Sequence, residues 1–252
     1  MILFLRVLMK EKGNTIFQLP LPSDNTTMTL QETIKTFREN THPQATQMAA
    51  YMRDQFPFLG IKKPERTALA KSFLNDLPKS TEEIREICFT LWEQPEREFQ
   101  YLALDVLRKS SKKTLNTDNL EWLEELVLTK SWWDSVDPLS SPIIGDILFK
   151  HPEYAQTITK RWISSANFWL NRMAIIFQLR YKENTNATML FDYCRQKSGS
   201  DEFFIQKGIG WALREYSKTD AEAVRKFVSE TELTPLSKRE GLKWLERRAS
   251  KA

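Results

Sequence analysis

WWDSVDPLSSPIIGDIL, residues 132–148, opens on two adjacent tryptophans and an Asp-x-x-Asp, then runs apolar. Three other stretches share this layout: PEREFQYLALDVL (95–107), ANFWLNRMAIIFQL (166–179) and DEFFIQKGIGWALREY (201–216). Their starts lie 37, 34 and 35 residues apart.

A period in this range belongs to stacked helix pairs, here degenerate HEAT-like repeats. One such unit cannot bury both its faces, so neighbours must stack. The fold expected is therefore all-α, a curved helical-repeat solenoid whose concave groove is lined by equivalent helices. Composition agrees: only 7 glycines occur in 252 residues, too few for a turn-rich β-protein, and 41% of residues are apolar, enough for a sizeable core. The periodicity predicts helices over 29–39, 44–55, 64–76, 81–93, 96–109, 118–129, 133–149, 152–164, 167–182, 186–197, 201–217, 220–230 and 236–249. Ser80 before Glu82 and Glu83, Asp118, and Thr219-Asp220 supply helix-start chemistry; Pro64, Pro95 and Pro152 suit first turns. Gly60 reads as a turn between helices.

The net charge is +4. Residues 1–129 hold 17 Lys+Arg against 18 Asp+Glu, and residues 130–252 hold 20 against 15, so the surplus belongs to the second half. Two cysteines, Cys88 and Cys194, fit a reducing compartment, and with two separated histidines they offer no convincing zinc set. No metal or other cofactor is expected. No run of 18 apolar residues spans a membrane. Residues 1–27 have the flavour of a weak signal peptide, but Arg6 breaks the apolar stretch and no small-residue cleavage site follows. They are read as a dispensable extension, leaving one domain over 28–252 in a cytoplasmic protein.

Trp133 and Asp137 are i and i+4 and share a helix face, as do Lys207, Trp211 and Arg214 at i, i+4 and i+7. Trp133 to Arg172 and Arg172 to Trp211 are each 39 residues. If that is the repeat phase, a carboxylate sits between two indoles, rimmed by cations. Such a site suits a reaction that leaves positive charge on a sugar, as N-glycosidic cleavage does through its oxocarbenium-like transition state. A carboxylate at about 4 Å with an effective dielectric near 20 contributes on the order of 4 kcal/mol. Each indole face adds roughly 0.5–2 kcal/mol. No second carboxylate or His is placed to protonate a leaving group. That gap closes if the departing base is already cationic, as an N3- or N7-alkylated purine is.

The chain resembles the bacterial AlkD-type alkylpurine DNA glycosylases, a HEAT-like DNA alkylation repair family. The matching stretches are YMRDQFPFLGIKKPER (51–66), KSWWDSVD (130–137), NFWLNRMAIIFQL (167–179) and KGIGWALREYSK (207–218), in the family's order. The resemblance implies a catalytic cleft of Trp133, Asp137 and Trp211. It implies an Arg172 contact to the DNA backbone and a Tyr51 that lies against the duplex. It also implies excision of cationic alkylpurines from double-stranded DNA without base flipping, by a monomer with no obligate protein partner. Lys207, Arg214 and Arg180 are candidate phosphate contacts. The family often carries paired arginines where this chain has Asn171-Arg172, which implies one lost phosphate contact. Lys62 stands where a neutral polar residue is common.

Each residue has a blander reading. Asp137 and Asp134 would serve as helix-start acids, Arg172 would pair with a neighbouring acid, and the tryptophans would be core. Asp134 and Trp132 keep that reading, as support and packing, and Trp92, Trp122, Trp162, Trp169 and Trp244 are read as packing. The alternative function is a non-catalytic helical-repeat protein recognising distorted or branched DNA. A protein-interaction scaffold is the third.

Overall fold

The computed structural model describes residues 27–110 and 114–250. The expected extension lies, through residue 26, outside the described residues. The rest is helical, and among the described residues no strand occurs. The helices are α1 (Leu30–Glu39), α2 (Ala45–Tyr51), α3 (Lys63–Leu69), α4 (Lys71–Asn75), α5 (Thr81–Glu93), α6 (Arg97–Ser110), α7 (Leu120–Leu128) and α8 (Trp133–Leu139). They continue with α9 (Asp146–Lys150), α10 (Pro152–Ile163), α11 (Phe168–Ile176), α12 (Ala187–Gln196), α13 (Phe203–Tyr216), α14 (Ala221–Glu230) and α15 (Pro235–Ala249). Among the described residues, no helix is long and apolar enough to cross a membrane.

The four aligned stretches become neighbours. Helix α6 packs on α8, α8 on α11 and α11 on α13, while α5, α10 and α15 back α6, α11 and α13. Helix starts follow the expected chemistry: Ser80 accepts from the Glu83 amide and Asp220 from the Ala223 amide. Pro152 occupies the first turn of α10. One continuous core results, with Phe37, Phe99, Leu123, Trp162, Met173, Ile209 and Leu213 inside it. Gly60 turns with φ +90°, and the buried Glu98 carboxylate accepts the amides of Leu59, Gly60 and Ile61 at 2.8–3.1 Å.

A repeated amide shows the equivalence of the units better than any apolar pattern. The Gln100 side chain on α6 donates to the carbonyls 9, 8 and 6 residues before it, those of Leu91, Trp92 and Gln94. Asn171 on α11 donates to the carbonyls 9, 8 and 6 residues before it, those of Trp162, Ile163 and Ser165. Gln206 on α13 donates to Ser200, again 6 back. Helices α6, α11 and α13 thus satisfy carbonyls that the end of the preceding segment leaves open.

Four expected helices differ. The helix expected over 44–55 stops at Tyr51, because Arg53 and Asp54 take left-handed backbone at φ 56° and 55°. That expected over 64–76 breaks at Ala70 into α3 and α4. The helix expected over 133–149 is interrupted by a π-helical segment, Ser140–Gly145. Pro138 inside α8 and Pro142 inside that segment each lack an amide hydrogen, so the α ladder cannot run through unbroken. The helix expected over 167–182 ends at Ile176, with a turn and a short 3-10 segment, Lys182–Asn184, after it.

Candidate functional site

Helix α8 is held from both sides by its two aspartates. Towards α6, the fully buried Arg97 grips Asp134 through Nε to Oδ2 at 3.0 Å and Nη2 to Oδ1 at 2.6 Å. The Tyr101 hydroxyl donates to the same carboxylate at 2.6 Å, and burial pushes that phenol up from its ordinary value. Arg97 also reaches the Ser135 hydroxyl and the Lys130 carbonyl, and its guanidinium lies 3.9 Å over the Phe56 ring. Asp134 is therefore a support, as expected.

Towards α11, Arg172 grips Asp137 through Nε to Oδ1 at 2.7 Å and Nη2 to Oδ2 at 2.8 Å. Its Nη1 donates to the Phe204 carbonyl on α13. The two side chains are 5% and 14% exposed. Burial pushes the Asp137 carboxyl above its usual range, opposed by the hydrogen bonds and charge of Arg172. A guanidinium has five N–H donors; three are committed here, and two remain. Gly208 makes the packing possible: a Cβ there would stand 3.2 Å from Arg172 Nη1.

Arg172 faces a cavity of about 310 Å³, lined also by Tyr51, Arg53, Trp132, Trp133, Phe203, Phe204 and Lys207. Tyr51 is 72% exposed and meets Trp133 edge-on at 6.2 Å. Phe203 is exposed on α13. Trp132 packs on Trp169 and Phe204 at 6.0 and 5.1 Å, but one side of it lines the cavity, and its buried indole N–H has no acceptor. Trp132 is thus part of the cavity wall as well as packing.

The residues picked out from the sequence divide into three groups. Tyr51, Trp133, Arg172 and Lys207 share the cavity. Asp137 lies behind Arg172, bonded to it rather than open between two indoles. Trp211 and Arg214 continue along α13, Trp211 half-buried against the core; neither lines the cavity, nor does the exposed Arg180. Asp137 bonds Arg172 at a step of 35 residues rather than 39, and Lys207, which lines the same cavity as Arg172, stands a further 35 residues on. Asn171 is a correction: it is buried and caps the end of α10, so it is not a surface position at which a phosphate contact was lost.

Arg53, Phe203 and Phe204 were not anticipated. Arg53 lay within a stretch read as helix, and its left-handed backbone carries no glycine to announce it. Phe203 and Phe204 belong to the DEFFIQKGIGWALREY stretch, but an aromatic at a helix start is ordinarily core. Lys207 and Arg214 share one partner, Glu240 of α15: Nζ to Oε1 is 3.1 Å and Nη1 to Oε2 is 2.6 Å.

A family model described as DNA alkylation repair enzyme matches residues 33–245. A solved structure described as a predicted DNA alkylation repair enzyme from Enterococcus faecalis is similar, with 36% sequence identity and a TM-score of 0.77. The match covers 82% of this chain and 97% of that one. No curated protein matches.

Proposed function

The chain belongs to the DNA alkylation repair enzyme family, and we propose that it hydrolyses the N-glycosidic bond of cationic N3- and N7-alkylpurines in duplex DNA. The observation that carries this reading is a nearly buried carboxylate, Asp137, held by Arg172 at the wall of a cavity lined by aromatics and cations.

In this reading Tyr51, Trp133 and Phe203 contact the sugar-phosphate backbone at the lesion, and Arg172 offers its remaining N–H groups to a phosphate. Arg172 then shares its charge between the phosphate and Asp137, which restores part of the carboxylate's field. Asp137 stabilises the sugar cation as the base departs and receives a proton from the attacking water. Burial strengthens that field, since no bulk water screens it. Trp133, one turn before Asp137, adds its ring face, and Trp211 is assigned the same work from α13. The alkylated purine leaves as a neutral base, so no general acid is required. Lys207, Arg214 and Arg180 take further phosphates. No metal or organic cofactor takes part.

One observation favours a second reading, a DNA-binding module without chemistry: both oxygens of Asp137 are already engaged, as in a structural ion pair. The decisive experiment incubates the protein with duplex containing N7-methylguanine and follows free base and alkali-labile sites. Release of the base is expected. Tight binding with none released over hours would establish the module instead.

A further inference from the structure

Lys207 and Arg214 stand two turns apart on α13, and both bend to a single carboxylate. Each oxygen of Glu240 takes one cation, so the three groups carry one net positive charge between them. We propose that Glu240 is an internal counter-ion that holds Lys207 and Arg214 back from DNA, setting how tightly and how salt-sensitively the groove binds phosphate. The inference rests on the DNA reading above.

The arrangement differs from a plain helix clamp in its exposure. The Glu240 side chain is 11% exposed, whereas those of Lys207 and Arg214 are 38% and 29% exposed. The anion is fixed in the α13–α15 interface and the cations lie outside it, Lys207 at the edge of the candidate cavity. Long, partly exposed cations can swing from a carboxylate to a phosphate, but the carboxylate cannot follow. It stays ionised: burial raises its pKa, but Lys207, Arg214 and the nearby Lys243 together hold it below the usual range.

Each contact with DNA therefore trades a carboxylate for a phosphate and leaves two anions near one another. Undamaged duplex supplies only backbone phosphates, so this exchange weakens sequence-independent binding. That binding is largely counter-ion release, with a slope of about −0.9 in log K against log salt per phosphate contact. A protein that must find rare lesions gains from weak attachment elsewhere.

The test titrates undamaged duplex into the full chain across a range of KCl concentrations, comparing wild type with Glu240→Gln. The variant should bind roughly tenfold more tightly at low salt, with the slope steeper by about 0.9 to 1.8 as one or two cations are freed. An unchanged slope and affinity in a variant that melts normally overturns the inference. Should Glu240→Gln fail to fold, Glu240→Asp, one methylene too short to bridge both cations, is read in its place; the same direction is expected, and wild-type binding overturns the inference. Wild type that fails to bind duplex even at low salt sinks the DNA reading itself, a distinguishable failure.

Discussion

Asp137 and Arg172, 35 residues apart on neighbouring inner helices, meet through two parallel hydrogen bonds of 2.7 and 2.8 Å. Asp134 and Arg97 repeat the arrangement on the other side of α8 at 37 residues. One short helix, carrying a proline and followed by a π segment, is thereby fixed from both neighbours by charge as well as by packing. Removing one partner of such a buried pair leaves the other uncompensated, at about 3–5 kcal/mol. Isosteric substitutions therefore test chemistry better than truncations.

Asp137→Asn keeps the shape and one acceptor for Arg172 but removes the negative charge. If about 4 kcal/mol of transition-state attraction disappears, base release falls roughly 10³-fold. Duplex affinity should hold, because Asp137 touches no phosphate in this reading. Single-turnover release of N7-methylguanine, beside an equilibrium binding curve, measures both. Release at the wild-type rate would remove Asp137 from the mechanism.

Arg172→Gln should shift the pH dependence of base release. Activity requires ionised Asp137, so it fails on the acid side as the carboxylate protonates. Burial already raises that pKa, and Arg172 is the group that opposes the rise. Without the guanidinium the acid limb moves to higher pH. Stability follows the same sign: a raised carboxyl contributes stability that is fully present below its unfolded value, about 3.9, and lost as pH rises through the folded value. In the variant that loss extends to higher pH. A rate profile and a melting series from pH 4 to 9 check both; an acid limb that stays put would separate Arg172 from the ionisation of Asp137.

The order of the units was legible because apolar faces and helix-start residues recur at a regular spacing, and packing follows spacing. The aligned stretches do become successive neighbours, α6, α8, α11 and α13. Two things were not legible. Helix interiors broke where backbone chemistry overrides the apolar pattern: at Pro138 and Pro142, and at Arg53 and Asp54, whose left-handed backbone closes α2 with amide bonds back to the Ala50 and Ala49 carbonyls. The second is side-chain partnership. Periodicity brings Asp137 and Arg172 to adjacent helices, but a shift of four residues separates sharing a surface from forming a bond, and that shift depends on crossing geometry. Glu240 was not legible for the same reason, since α15 lies outside the aligned stretch that holds Lys207 and Arg214.

Asn171→Arg tests the corrected reading of the Asn171-Arg172 pair. The Asn171 amide holds three carbonyls at the end of α10, at 2.8–3.1 Å, and is buried. Replacing it strips those carbonyls and forces a larger cation into the same space, at about 2–4 kcal/mol. The melting temperature should drop while duplex affinity fails to rise. A stable variant with tighter, more salt-sensitive binding would show that position 171 faces the DNA after all. Gln100→Ala, which removes the matching amide on α6, should destabilise by a similar mechanism with no change in lesion processing per folded molecule.

Gly208→Ala isolates positioning from charge. The added methyl would lie 3.2 Å from Arg172 Nη1 and 3.6 Å from its Cγ, so the guanidinium must yield by a few tenths of an ångström. Helix α13 itself gains, because alanine is the better helix former by about 1 kcal/mol. The expected result is thus a protein close to wild type in stability, the helix gain offsetting the strain on the ion pair, whose base release is about tenfold slower because the Arg172–Asp137 geometry is disturbed. A loss of both stability and rate would indicate simple overpacking. Retention of full rate would mean that Arg172 tolerates displacement, and its bond to Asp137 would then be a strut between α8 and α11 rather than part of the reacting arrangement.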